Sequence, residues 1–110
     1  MAQYLLIESR DPYEYGDPEQ FADLAVDLAG AGNDVTFFLI QNGVLVTRKG
    51  AKAGTLQKLA GAGNVKVLVD EFSLRERGIA KDKLAAGVTS SNVDQLVDLL
   101  ASDGCKAVWH

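Results

Sequence analysis

A chain of 110 residues, 47% hydrophobic and 24% charged, is long enough for one domain with a single core, expected over 1–110, and too short for two. That balance excludes a disordered tail, a collagen-like repeat and a charge-saturated chain. With 11 Lys+Arg against 15 Asp+Glu the net charge is -4, which lacks the basic footprint of a nucleic-acid or anionic-membrane binder. One cysteine cannot close an intramolecular disulfide or build a Cys-rich metal site, and one histidine leaves no His cluster for zinc or a catalytic triad. No cofactor is expected. Met1-Ala2-Gln3-Tyr4 shows no basic, cleavable leader and no apolar stretch approaches a membrane span, so the expected location is cytoplasmic.

The first element is Tyr4-Leu5-Leu6-Ile7, a continuous apolar run that reads as a strand buried on both faces. A polar loop, Arg10 to Gly16, leads to Asp17-Pro18-Glu19-Gln20, which has the form of an N-cap, a first-turn proline and a polar first turn. Phe21, Leu24, Ala25 and Leu28 continue that helix at i, i+3, i+4 and i+7 until Gly30-Ala31-Gly32. Val35 to Ile40 is a second strand, rich in β-branched and aromatic residues. Asn42-Gly43 is compatible with a hairpin turn returning through Val44-Leu45-Val46, but a loop leading into a short helix within Gly50 to Gly63 is the preferred reading. Val65 to Val69 is a third strand, followed by a helical turn over Glu71 to Arg77 closed by Gly78. A small piece at Gly87-Val88-Thr89 precedes Ser90-Ser91-Asn92, an N-cap for a helix carrying Val93, Leu96, Val97 and Leu100, and Ala107-Val108-Trp109 forms a last strand. Alternation of this kind predicts a three-layer α/β/α domain: a mostly parallel sheet of four to five strands with helices on both faces.

In such sheets ligands bind beyond the carboxyl ends of the strands, where loops converge. The loops to inspect are Ser9 to Asp17, Gln41 to Gly50 and Asp70 to Arg75. None carries a dinucleotide or P-loop glycine signature. Carboxylates are available: Asp11, Glu14 and Asp17 after the first strand and Asp70-Glu71 after the third would suit a divalent cation or a general base if they met across the crevice, though loop acids are commonly solvated and Asp17 serves as a cap. Arg75 and Arg77 suit an anion, or ion pairs with Glu71 and Glu76. Tyr13 and Tyr15 offer an apolar body and a polar tip to a pocket, an interface or the sheet edge. His110 closes the sequence, and an end residue is expected to fray and to be a poor general base.

Three fragments in order, Tyr15-Gly16 before a helix, Phe37-Phe38 through Gly43-Val44, and Arg77-Gly78-Ile79 after the third strand, make the chain resemble the DsrE/DsrF-like sulfur-relay family over almost its full length, the closing Cys105 to Trp109 strand included. The resemblance implies a parallel α/β fold, assembly into trimers or hexamers or with related subunits, exchange with a sulfur-carrier protein, and a carrier cysteine at the end of the third strand. In active members that cysteine lies eight residues before the glycine of the Arg-Gly-Ile signature; here the position is Asp70. A carboxylate accepts hydrogen bonds but cannot attack and hold a sulfane sulfur as a thiolate does. Cys105, just before the last strand, falls at the opposite end of the sheet, about 17 Å away along five strand residues.

Three readings follow. The first is a binding or scaffold subunit whose crevice is formed by Asp70, Glu71, Tyr15, Arg75 and the Asn42-Gly43 backbone. The second is an active sulfurtransferase using Cys105, and the third a metal- or small-ligand-binding protein using Asp70/Glu71 and Asp11/Glu14. Apolar helix surface such as Val26 and Leu99 is the expected interface.

Overall fold

The computed structural model describes residues 2–11, 17–49 and 54–110. Its elements are strand β1 (Gln3–Glu8), helix α1 (Asp17–Gly30), β2 (Asp34–Leu39), a 3-10 helix (Gln41–Thr47), α2 (Thr55–Ala60), β3 (Val65–Asp70), α3 (Glu71–Glu76), a short 3-10 turn (Lys81–Lys83), β4 (Val88–Ser91), α4 (Val93–Ala101) and β5 (Cys105–Trp109). The five strands form one sheet in the order β4-β3-β2-β1-β5, and every pairing is parallel.

The apolar runs explain why the middle of the sheet is dry. Leu5, Leu6, Phe37, Phe38 and Val69 are fully enclosed, as expected for parallel strands covered on both faces. On one face Leu6, Phe37, Val67 and Val69 meet Phe21, Ala22, Ala25 and Ala29 of α1, Leu59 of α2, Leu74 of α3 and Val44 and Val46 of the 3-10 helix. On the other, Leu5, Ile7 and Phe38 meet Leu96, with Leu99 packed beside it. The layers are therefore unequal. Three helices share the first face and α4 stands over the second.

Two helices sit differently from their expected apolar stripes. In α4 the sheet-facing residues are Leu96 and Leu99, while Val93, Val97 and Leu100 are about half exposed. In α1 the small residues Ala22, Ala25 and Ala29 lie against the sheet with Phe21, and Leu24 faces outward. Alanine lets a helix approach a sheet of large aromatic residues closely, so bulk on the strands is matched by smallness on the helix.

The segment after β2 corrects the hairpin alternative: Val44-Leu45-Val46 belongs to a 3-10 helix whose valines enter the core. Helix α2 covers only Thr55–Ala60 of the expected Gly50–Gly63 stretch, and residues 50–53 lie outside the described residues. Among the described residues no helix is long and apolar enough to cross a membrane.

Candidate functional site at the carboxyl edge of the sheet

Connections after β1, β2 and β3 run over the first face, whereas α4, after β4, lies on the second. The adjacent strands β3 and β4 thus send their chains to opposite sides, the arrangement beside whose carboxyl ends open α/β sheets bind ligands. The register puts Asp70 beside Ser91 there.

Asp70 is 3% exposed and caps α3. Its Oδ2 accepts from the Ser73 amide at 3.0 Å and from the Ser73 hydroxyl at 2.7 Å. The same hydroxyl oxygen accepts from the Gln41 amide at 2.9 Å, so the ends of β2 and β3 are joined through one serine. Asp70 Oδ1, also buried, has no hydrogen-bond partner among the described residues. Gln41 holds a left-handed backbone with φ 51, the one non-glycine described residue that does. Such a conformation is uncommon and needs outside support, which the Ser73 bond supplies.

Gly43 is required here by close approach. A Cβ on it would stand 2.3 Å from the Glu8 carbonyl oxygen, so the chain after β2 can cross the end of β1 only where there is no side chain. Asn42 Oδ1 accepts from Arg77 Nε at 3.1 Å, and Arg77 Nη1 donates to the Ser73 carbonyl at 3.2 Å. Arg77 also lies 3.7 Å from Glu76. It therefore stitches α3 to the 3-10 helix.

The structure thus brings Asp70, Asn42 and Gly43 to one edge. Glu71 is turned to Lys81 at 3.4 Å, away from Asp70 and Ser73. Arg75 lies 5.9 Å over the ring of Phe72, which is 55% exposed. Asp11 is buried three residues beyond the end of β1, a strand separated by β2 from the β3 strand that ends in Asp70. Tyr13, Glu14 and Tyr15 lie outside the described residues, as does the side chain of Asp17. Among the described residues no group of three or more His, Cys, Asp or Glu is disposed to hold a metal ion.

One part of the edge was not foreseen. His110 does not fray: its amide donates to Ile7 O at 2.8 Å and its carbonyl accepts from Ser9 N at 2.9 Å. Its Nδ1 lies 3.0 and 2.9 Å from the two carboxylate oxygens of Glu8, a side chain that is 1% exposed. The available signal was Glu8 itself, a charged residue directly continuing the apolar run Leu5-Leu6-Ile7 in a strand enclosed on both sides.

Cys105 pairs with Gln3 at the other end of the sheet, five strand residues from Glu8, or about 17 Å. It lines an open groove of about 650 Å³ with Gln3, Asp34, Asn64, Lys66 and Leu99. A neighbouring groove of about 540 Å³ shares Lys66 and Leu99 and lies between α4 and β3/β4. These grooves exist because α4 covers only part of its face, and neither is lined by Asp70.

A five-stranded parallel sheet with unequal helical layers defines a small α/β domain. The family model for the DsrE/DsrF-like family matches residues 2–107, and the chain belongs to that family, which is related to sulfur-relay proteins. The fold is similar to that of the ychN protein from E. coli, with a TM-score of 0.82 and 23% identity, covering 98% of this chain and 100% of that one. It is also similar to MTH1491, a protein of unknown function from Methanobacterium thermoautotrophicum, with a TM-score of 0.72 and 21% identity over 98% of this chain and 97% of the other. No curated protein matches the sequence.

Proposed function

We propose that this chain is a DsrE/DsrF-like subunit that keeps the fold of a sulfur carrier without the carrier atom, and serves as a binding or scaffold subunit. The observation that carries this reading is Asp70. At the end of β3, where the family resemblance calls for a cysteine, stands a carboxylate already committed through Oδ2 to the Ser73 amide and hydroxyl. A carboxylate in that role organises the crevice and accepts hydrogen bonds but forms no persulfide. The ligand-facing groups of this reading are Asp70 and the Asn42-Gly43 backbone, with Glu71 and Arg75 following Asp70 on α3; Tyr15 belongs to the same reading and lies outside the described residues.

Association with related subunits, with further copies in a trimer or hexamer, or with a sulfur-carrier protein fits the apolar surface that the fold leaves outside. Val93, Val97 and Leu100 lie on the outer side of α4, and Val108 and Trp109 on the edge strand β5. Exposed apolar residues concentrated on adjacent elements mark interaction surfaces. A cytoplasmic location is part of the same reading. Size-exclusion chromatography with light scattering at micromolar concentration should give an assembly larger than the 11.7 kDa chain; a clean monomer would count against self-association.

The second reading, sulfur transfer through Cys105, has the groove around that residue in its favour. Intact-mass measurement after incubation with a polysulfide donor separates the two. The scaffold reading expects no stable gain of a sulfur atom; a gain abolished by Cys105→Ser would establish the Cys105 reading instead.

A further inference from the structure

We propose that the β5 edge of the sheet, with the flank of α4 above it, pairs antiparallel with the same edge of a second copy of this chain, across a two-fold axis at Ala107. This inference rests on the self-association in the proposed function and names the surface that makes it.

Strand β5 ends the sheet order, and Lys106 to Trp109 are exposed. Its bonds to β1 fix which backbone groups remain open. His110 N donates to Ile7 O, and His110 O accepts from Ser9 N. Backbone groups alternate sides along a strand, so Val108 and Lys106 also turn theirs toward β1, while Ala107 and Trp109 turn N–H and C=O to the outside. Cys105 turns its C=O outward as well, and its N–H donates to Ser102 O at 3.4 Å. Among the described residues nothing lies along this row, and an open row of donors and acceptors is a template for another strand.

The occupant follows from self-complementarity. With Ala107 opposite Ala107 of the second copy, the two residues exchange both N–H···O bonds, and each Trp109 N–H meets the Cys105 carbonyl of the other chain. Shifting the register by one pair either sets Lys106 opposite Lys106, like charges that repel, or leaves only Ala107 and Trp109 paired. Lys106 is the one charged residue of Cys105–Trp109. Its Nζ lies 5.7 Å over the Tyr4 ring, drawn back over β1 and clear of the open edge.

The helix above the strand makes the same match. Leu96 and Leu99 of α4 face the sheet, and Gln95 and Asp98 line the groove over β3 and β4. At 3.6 residues per turn Val93, Val97 and Leu100 fall on the opposite flank, the β5 side, and each is about half exposed. Ala107 and Trp109 stand opposite Leu5 and Ile7 in register, so their side chains lie on the face that carries α4. A two-fold axis perpendicular to the sheet keeps both α4 helices on that face. The apolar flanks then meet above the paired strands and cover the two Trp109 side chains, each 68% exposed in the single chain. Such a contact uses one patch on both copies and closes on itself.

Light scattering at micromolar concentration should give the wild type an even number of copies of the 11.7 kDa chain, and Ala107→Pro should halve that mass. The Ala107 N–H is turned away from β1, so proline on this edge spares the fold, checked by circular dichroism, and blocks the pairing. Emission from Trp109, the single tryptophan, should shift to the red on dilution of the wild type and be red at all concentrations in Ala107→Pro. Where that variant does not fold, Cys105→Ser/Ala107→Cys takes its place. Paired Cα atoms about 5.5 Å apart admit a disulfide, so mild oxidation should give a covalent dimer, whereas Cys105 of the wild type stands about 14 Å from its copy in this register and should give none. An odd-numbered assembly, an assembly that survives Ala107→Pro, or no covalent dimer from Cys105→Ser/Ala107→Cys would overturn this interface and leave self-association standing; a monomeric wild type would overturn both.

Discussion

The two ends of the sheet are built from the same five strands and differ in almost every other respect. At the carboxyl end, Glu8, Asp70, Ser73 and Ser91 are buried polar residues, and for each of them the structure records a hydrogen bond. At the amino end, Cys105 and Lys66 line open grooves beside a single helix. Buried polar groups are costly unless paired, so their concentration at one end identifies the end that the fold organises. The one thiol lies at the other. The lesson is that the polar network and the thiol separate in this chain: the buried polar residues gather at the carboxyl edge, and Cys105 pairs with Gln3 at the opposite edge.

If the carboxyl edge is the organised end, substitutions there should cost more than equally conservative ones at the amino edge. The largest effect is expected at Gly43→Ala. Its new Cβ would stand 2.3 Å from the Glu8 carbonyl, and backbone must move, a loss of about 2 to 3 kcal/mol in a urea melt. Unchanged stability would show that the crossing of β1 and the 3-10 helix is loose.

Next in size is Asp70→Ala. It removes the α3 cap and leaves the Ser73 hydroxyl and amide without their acceptor, which should lower stability by about 1 to 2 kcal/mol. The double variant Asp70→Ala/Ser73→Ala should cost less than the sum of the single variants, since the two side chains share one bond; strict additivity would separate them. The smallest effect belongs to Cys105→Ser, a half-buried free cysteine that lines the groove. It should change stability by less than about 0.5 kcal/mol, and a larger loss would show that the amino edge is as tightly organised as the carboxyl one.

Much of this fold was legible in the residues. Strands β1, β2 and β3 are continuous apolar runs because both their faces are covered, and Asn92 announces the start of α4 because its side chain accepts from the Gln95 amide at 2.9 Å. The facing of α4 was not legible. Leu96 and Leu99 form one stripe and Val93, Val97 and Leu100 another, and spacing alone does not say which one meets the sheet. The Asp70 position was legible through the family pattern, but its Ser73–Gln41 connection was not, since it joins residues 32 apart through a backbone conformation that sequence does not announce. The Glu8–His110 pair lies 102 residues apart and depends on β5 docking outside β1, a choice of sheet order that local pattern cannot make. Its burial against Phe21 is what turns an expected frayed end into a fixed one.

The comparison of the two ends is tested most directly by moving the thiol from one to the other. In the double variant Asp70→Cys/Cys105→Ser the sole sulfur nucleophile stands at the end of β3. After incubation with a polysulfide donor and removal of excess reagent, intact-mass spectrometry should show one added sulfur atom on this protein and none on Cys105→Ser, and a small thiol acceptor should then remove it. A folded double variant that takes up no sulfur would contradict the account that the crevice at Asp70 is a carrier site lacking only its atom.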